Sequence, residues 1–359
     1  MTIAARTNGY TSQVGIDGFT TPAAMNGSTV VASMNAVAVN SSGLFVAVGN
    51  NSTNAPVYAT SSNGSTWTTP ALMNGSSATA IMYGVAVNSS GLFVAVGLDS
   101  SAAPLYATSS NGSTWTTPSR MNGSSVSAAM SAVTVNSSGL FVAIGQDASH
   151  ASLYATSSNG STWTTPALMN IASPYDKVYG ITVNSSGLFV AVGGGYLGTA
   201  VYSTSSNGST WSTFAAMNGS STYATMDSVA VNSSGLFVAV GYDNFNIAVQ
   251  ATSSNGSTWT TPASMNGYAS PSGMTTVSVN SQGRFVAVGY NNGPTPLYAT
   301  STNGSTWTSP TVMGSSVSQT GSIYGLTVNS SGLFVAVGMA YSNVSPFVGL
   351  PIASYGIWP

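Results

Sequence analysis

The stretch "NSSGLFVAVG", or a near copy of it, occurs seven times in this chain of 359 residues. Its first glycine falls at Gly43, Gly91, Gly139, Gly187, Gly235, Gly283 and Gly332, a spacing of 48 residues five times and then 49. A second marker, "TSSNGSTWTTP", first runs from Thr60 to Pro70 and carries Trp67, Trp115, Trp163, Trp211, Trp259 and Trp307 on the same period. Phe19, within "FTTPAAMNG", stands 48 residues before Trp67 and opens that series. A repeat unit of this size cannot bury an apolar face alone, so the copies must pack on one another.

Each unit reads as four short strands. In the second copy these are "YGVAVN" (Tyr83 to Asn88), "LFVAVG" (Leu92 to Gly97), "LYATSS" (Leu105 to Ser110) and a last strand within "STWTTPSRM". "NSSG" suits a type I turn with glycine in the left-handed position, and "NG" a tight turn. No apolar period of 3.6 residues survives, and β-branched residues dominate. The unbroken apolar run "LFVAV" demands burial on both faces, which stacked sheets supply. The proline of "WTTP" removes a ladder donor and places the fourth strand at the outer edge. Seven such units give an all-β, seven-bladed β-propeller with four antiparallel strands per blade, a single domain over residues 1–359. The last unit has three strands and the chain start has one, so residues 18–26 are expected to pair with 321–359 and close the ring. The periodic methionines Met34, Met82, Met130, Met226 and Met274 are expected just before the first strands, packed near the channel mouth.

Charge is almost absent: four basic residues, six aspartates and no Glu, for a net charge of -2. That removes the basic footprint needed for nucleic acid and for anionic lipid. With no Cys, disulfides and thiol chemistry are excluded. No apolar run reaches the roughly 18 residues of a membrane span, and "MTIAARTNGYTSQVG" lacks the apolar segment of a secretory signal.

"T-S-S-N-G-S-T-W" resembles the Asp-box of bacterial neuraminidase repeats, S-x-D-x-G-x-T-W. Thr60, Gly64, Thr66 and Trp67 match, with Ser62 where the family has Asp. The resemblance implies a box at the turn between third and fourth strands, remote from any active site. There a small polar side chain bonds backbone N–H groups and the tryptophan fills the space between blades. Ser62, Gly64 and the six tryptophans are accordingly expected to be structural. A hard cation wants carboxylates, so Ser at the Asp position argues against a metal.

The same resemblance raises sialidase chemistry, which in that family takes an arginine triad, a Tyr–Glu nucleophile pair and an acidic Asp. This chain has no Glu, and Arg6, Arg120 and Arg284 fall at non-equivalent points of the repeat. A glycosidase of another type needs two carboxyls about 5.5 Å apart, or up to about 9.5 Å for inversion. Asp99 and Asp147 occupy equivalent positions in adjacent units, where packed sheets lie about 10 Å apart. His150 is the only histidine, too little for a zinc site. No catalytic residue, metal or cofactor is therefore expected.

Differences among the copies mark the face free to vary. "NSSG" and "SSNGST" barely change and share one face. The links from second to third strand ("LDSSAAP", "QDASHAS", "YDNFNIA") and between units ("MNIASPYDKV", "MNGYASPSGM") differ freely and share the other. Aromatics gather there: Tyr175, Tyr196, Tyr223, Tyr242, Phe245, Tyr268 and Tyr290. Tyrosine joins apolar area to a hydroxyl and suits sugars and protein surfaces. The expectation is a non-catalytic surface recognition or structural propeller, extracellular or on a virion, as a phage appendage or a bacterial surface protein. Its partners would be a glycan or host-surface receptor, or other virion or surface proteins, with oligomers open. The alternatives are a divergent glycoside-acting enzyme and a purely structural self-assembling protein.

Overall fold

The computed structural model describes residues 18–27, 32–75, 79–123, 127–170, 173, 176–218, 223–265, 272–293, 295–314, 320–341 and 349–358. They form seven four-stranded antiparallel sheets, six built in chain order from the inside outward and the last with the amino-terminal strand outermost, in the closed ring of a seven-bladed propeller. Blade one comprises Ala32–Val39, Phe45–Asn51, Pro56–Ser61 and Ala71–Leu72. The first strands pack side by side around a central channel, and those of blades seven and one also meet. No helix of the described residues is long and apolar enough to cross a membrane.

The second strands form the dry centre of every blade. Phe45, Val46, Ala47 and Val48, with their counterparts, are 0–1% exposed because each faces an adjoining blade on either side. The "NSSG" hairpin is made by one side chain: Asn40 Oδ1 accepts the N–H groups of Ser42 (3.1 Å) and Leu44 (3.0 Å), an Asx-type turn that every blade repeats. The fourth strand is shorter than its sequence suggests. In "WTTPAL" only Ala71–Leu72 join the ladder, after Pro70, because the proline cannot donate.

A β-bulge interrupts the first strand of every blade. Pairing with the second strand shifts register between Met34 and Ala36 and at the six equivalent places. The recurrent methionines thus lie inside the first strands, not ahead of them. At 0% exposure they fill the seams between blades rather than the channel mouth. Facing the bulge is the closing glycine of "LFVAVG". A Cβ on Gly97 would stand 1.8 Å from the backbone oxygen of Ile81, so any larger residue must push two strands apart. Gly97→Ala is expected to cost about 3 kcal/mol or more. Gly91→Ala meets nothing within 4 Å and strains only its φ of +85°, at about 1–2 kcal/mol. Urea unfolding of the two variants measures the difference.

The ring closes as the repeat count requires. Ala23–Ala24 pair with the last strand, Gly349–Ile357, in the register Ala23↔Ala353. Upstream, Phe19 bridges Gly356 and the Thr20 N–H donates to Tyr355 O at 2.9 Å. Trp358, not part of the periodic tryptophan series, meets Phe19 edge-on at 5.0 Å and Phe334 at 5.5 Å. Aromatics from both ends of the chain fill the last blade.

Candidate functional site

The bulge decides what faces the channel. An extra residue in each first strand turns one more side chain inward, and these are Asn35, Tyr83, Ser131, Tyr179, Asp227, Thr275 and Tyr324. They vary from blade to blade, as does the column just before the methionines, within an otherwise repetitive strand. Around them lies a channel cavity of about 290 Å³. Asn35 is tied across a blade seam, donating from Nδ2 to Met82 O at 2.9 Å, and Thr275 donates to Ile323 O at 2.9 Å. Asp227 is the only carboxylate in the ring, and burial raises its pKa from 3.8 to about 7. Burial, and then the charge of Asp227, also raise Tyr179, Tyr242 and Tyr290, with Tyr242 pushed up to about 12.

Beside the channel, on the variable-loop face, is a second cavity of about 460 Å³ across blades five to seven. Tyr242 and Asn246 come from blade five, and Ser272, Gly273, Tyr290, Asn291 and Asn292 from blade six. Blade seven adds Ser322, Tyr324 and Tyr341. Tyr324 borders both cavities. The Tyr341 hydroxyl lies 3.3 Å from the hydroxyls of Tyr324 and Ser322. Burial first, and then the bond to Tyr341, hold the Tyr324 phenol protonated well above its ordinary range. Ser272 borders this cavity at 1% exposure, and its buried Oγ meets no hydrogen-bond partner among the described residues.

Of the seven aromatics singled out from the sequence, Tyr242 and Tyr290 wall this cavity. Tyr196, Tyr223 and Phe245 are 56%, 50% and 68% exposed on the same face and do not line it. Tyr175 and Tyr268 lie outside the described residues. Sequence reasoning passed over Asp227, Ser272, Tyr324 and Tyr341. The first and third could have been found by aligning the units and asking which core-strand column fails to repeat.

The six "SSNGSTW" turns, the last of them "STNGSTW", are self-contained staples. Ser61 Oγ accepts the Gly64 N–H at 2.8 Å, Asn63 Oδ1 accepts the Thr66 N–H at 2.8 Å, and Trp67 Nε1 donates to Gly64 O at 3.0 Å. The bonds come from the residues on either side of Ser62, which is itself exposed. Trp67 through Trp307 are 2–5% exposed and close the seams. Trp115, for example, meets Tyr58 of the preceding blade at 6.2 Å.

The loop aspartates have a similar task. Asp99 Oδ1 accepts the N–H groups of Ser101 and Ala103, each at 2.8 Å. Asp147 and Asp243 do likewise, and Asn51 and Asn291 hold the same turn in other blades, so the turn needs an oxygen rather than a charge. Burial opposes ionisation of Asp99, but those N–H donors and Arg120, 2.7 Å away, outweigh it and lower its pKa. His150 is exposed at a positive φ, 66°, its N–H bonded to Asp147 O. Among the described residues no three His, Cys, Asp or Glu side chains gather as a metal site would require.

No protein-family model and no curated protein matches the chain. Solved structures of similar shape exist. The BP39L lectin from Burkholderia pseudomallei superposes with a TM-score of 0.65 at 12% identity, over 89% of this chain and 98% of that one. A YCF48 protein bound to D1 peptide gives 0.60 at 12%, over 96% and 97%. The GH74 xyloglucanase from Xanthomonas campestris gives 0.60 at 13%, over 91% of this chain and 54% of that one. At such identities the likeness establishes the propeller fold.

Proposed function

We propose that this protein is a non-catalytic recognition propeller that binds its ligand in the tyrosine-walled cavity on the variable-loop face. One observation carries the reading: a concave site of about 460 Å³ there combines four tyrosines with asparagine and serine side chains, aromatic walls with a few convergent polar groups. The staple turns on the opposite face support kinship with Asp-box propellers, and a chain so poor in charge suits a cell or virion surface. Among solved propellers of this shape are a lectin and a protein bound to a peptide. The class of ligand therefore has to come from the cavity's own chemistry.

A screen against immobilised glycans and surface proteins, followed by Tyr290→Ala and Tyr341→Ala, tests the reading. Each is expected to weaken binding about tenfold or more, the loss of one buried aromatic contact. Tyr223→Ala, outside the cavity, is expected to change nothing. Equal loss in all three, or in none, would remove the site.

Asp227 favours a second reading. A carboxyl with a pKa near 7 in a channel is a candidate general acid. A glycosidase also requires a second carboxyl, while Asp99, Asp147 and Asp243 are engaged in their turns. Turnover of a chromogenic glycoside that disappears in Asp227→Asn would establish the enzyme in place of the binding module.

A further inference from the structure

We propose that the cavity between blades five and seven receives the terminal residue of a neutral glycan, an uncharged pyranose, with Ser272 Oγ as a hydrogen-bonding partner for one of its hydroxyls. This rests on the reading of the cavity as a ligand site and adds the chemistry of the ligand.

The first ground is composition. Among the described residues the wall is tyrosine, asparagine, serine and glycine, with no cation to pair a carboxylate, sulfate or phosphate. Arg120, the described arginine on the outer edge of blade two, is already bonded to Asp99. An anionic sugar would give up its hydration here without a charged partner, an expensive exchange.

The second is Ser272. A buried hydroxyl without a partner costs about 1–3 kcal/mol, and Ser272, a cavity residue 1% exposed, carries one. A serine hydroxyl both donates and accepts, as a sugar hydroxyl does. Gly273 beside it adds no side chain to obstruct the approach. The third is shape and field. Tyrosine rings offer apolar faces to the C–H groups of a pyranose, while the coupled hydroxyls of Tyr324, Tyr341 and Ser322 offer exchangeable donors and acceptors. The charge of Asp227 reaches Tyr242 and Tyr290, so once ionised it makes the cavity negative.

Calorimetry on the whole chain at pH 8 with matched sugars tests this, the methyl glycosides of glucose, galactose and mannose against the corresponding uronides. The pairs differ by a carboxylate at C6. At least one neutral glycoside is expected to bind, with its uronide about tenfold weaker or worse. Ser272→Ala and Tyr290→Ala should each cost about tenfold, the worth of one hydrogen bond or ring contact. Should Ser272→Ala fail to fold, Tyr341→Phe removes a hydroxyl from the same wall and is expected to weaken the neutral sugar. Uronides or sialyllactose bound as tightly as neutral sugars would overturn the proposal, as would neutral binding indifferent to these variants. If no neutral glycoside binds but Tyr290→Ala abolishes capture of a peptide or protein, the ligand site stands and the sugar assignment falls. If neither sugars nor surface ligands respond to the cavity variants, both fall.

Discussion

A chain lacking residues 1–26 is expected to melt far below the intact protein and to aggregate as it does so. Removing the segment uncovers the hydrogen-bonding edge of Gly349–Ile357, a nine-residue strand that Ala23, Ala24, Phe19 and Thr20 now cover. A bare edge of that length is a template for pairing with another chain. The apolar loss is as important. Phe19 and Met25 are 5% and 1% exposed; Phe19 packs on Trp358 and Tyr298, and Met25 joins Trp67 and Phe45 in the seam of blades seven and one. Emptying two such places costs about 3–5 kcal/mol each, comparable to the whole stability of an ordinary domain, about 5–15 kcal/mol. Thermal melting with light scattering measures it. An unchanged Tm with a monomeric product would mean that the amino-terminal strand is dispensable.

Asp227→Asn is expected to stabilise the protein at pH 8 and to flatten its pH dependence. The folded state holds this proton up to about pH 7, while its reference value is 3.8. Between those limits the native protein binds more protons than the unfolded chain, so stability declines as pH rises from about 4 to about 7 and then levels off. At ~1.4 kcal/mol per pKa unit, the raised pKa sets a ceiling of about 4 kcal/mol, and solvent in the channel reduces it to a few kcal/mol at most. Tyr179, Tyr242 and Tyr290, the neighbours that feel this charge, are raised further above 10 and stay neutral throughout. Urea midpoints should therefore be higher at pH 5 than at pH 8 for the natural chain and equal for the variant. A natural chain whose midpoint rises toward pH 8 would refute the protonated assignment.

The sequence by itself determined the parts that repeat: seven blades, four strands in each, the turn chemistry, the buried "FVAV" centre and the pairing of the two chain ends. The turns and strands were legible because each is local, a side chain such as Asn40 bonding its own turn, copied at a fixed spacing; the pairing of the chain ends followed from counting strands in the first and last units. Repetition also showed which face was free to vary, and two of its tyrosines, Tyr242 and Tyr290, do wall a cavity. Only the tertiary structure decided what that face contains. One bulged residue per first strand reverses the alternation of side chains, which sends the methionines into the seams and turns Asp227 and Tyr324 toward the channel. Likewise Ser61 and Asn63, rather than Ser62, point back onto the turn. The cavity takes its walls from Tyr242, Ser272 and Tyr341, well separated along the chain and in three different blades. No local pattern brings such residues together, because their proximity is a property of the closed ring.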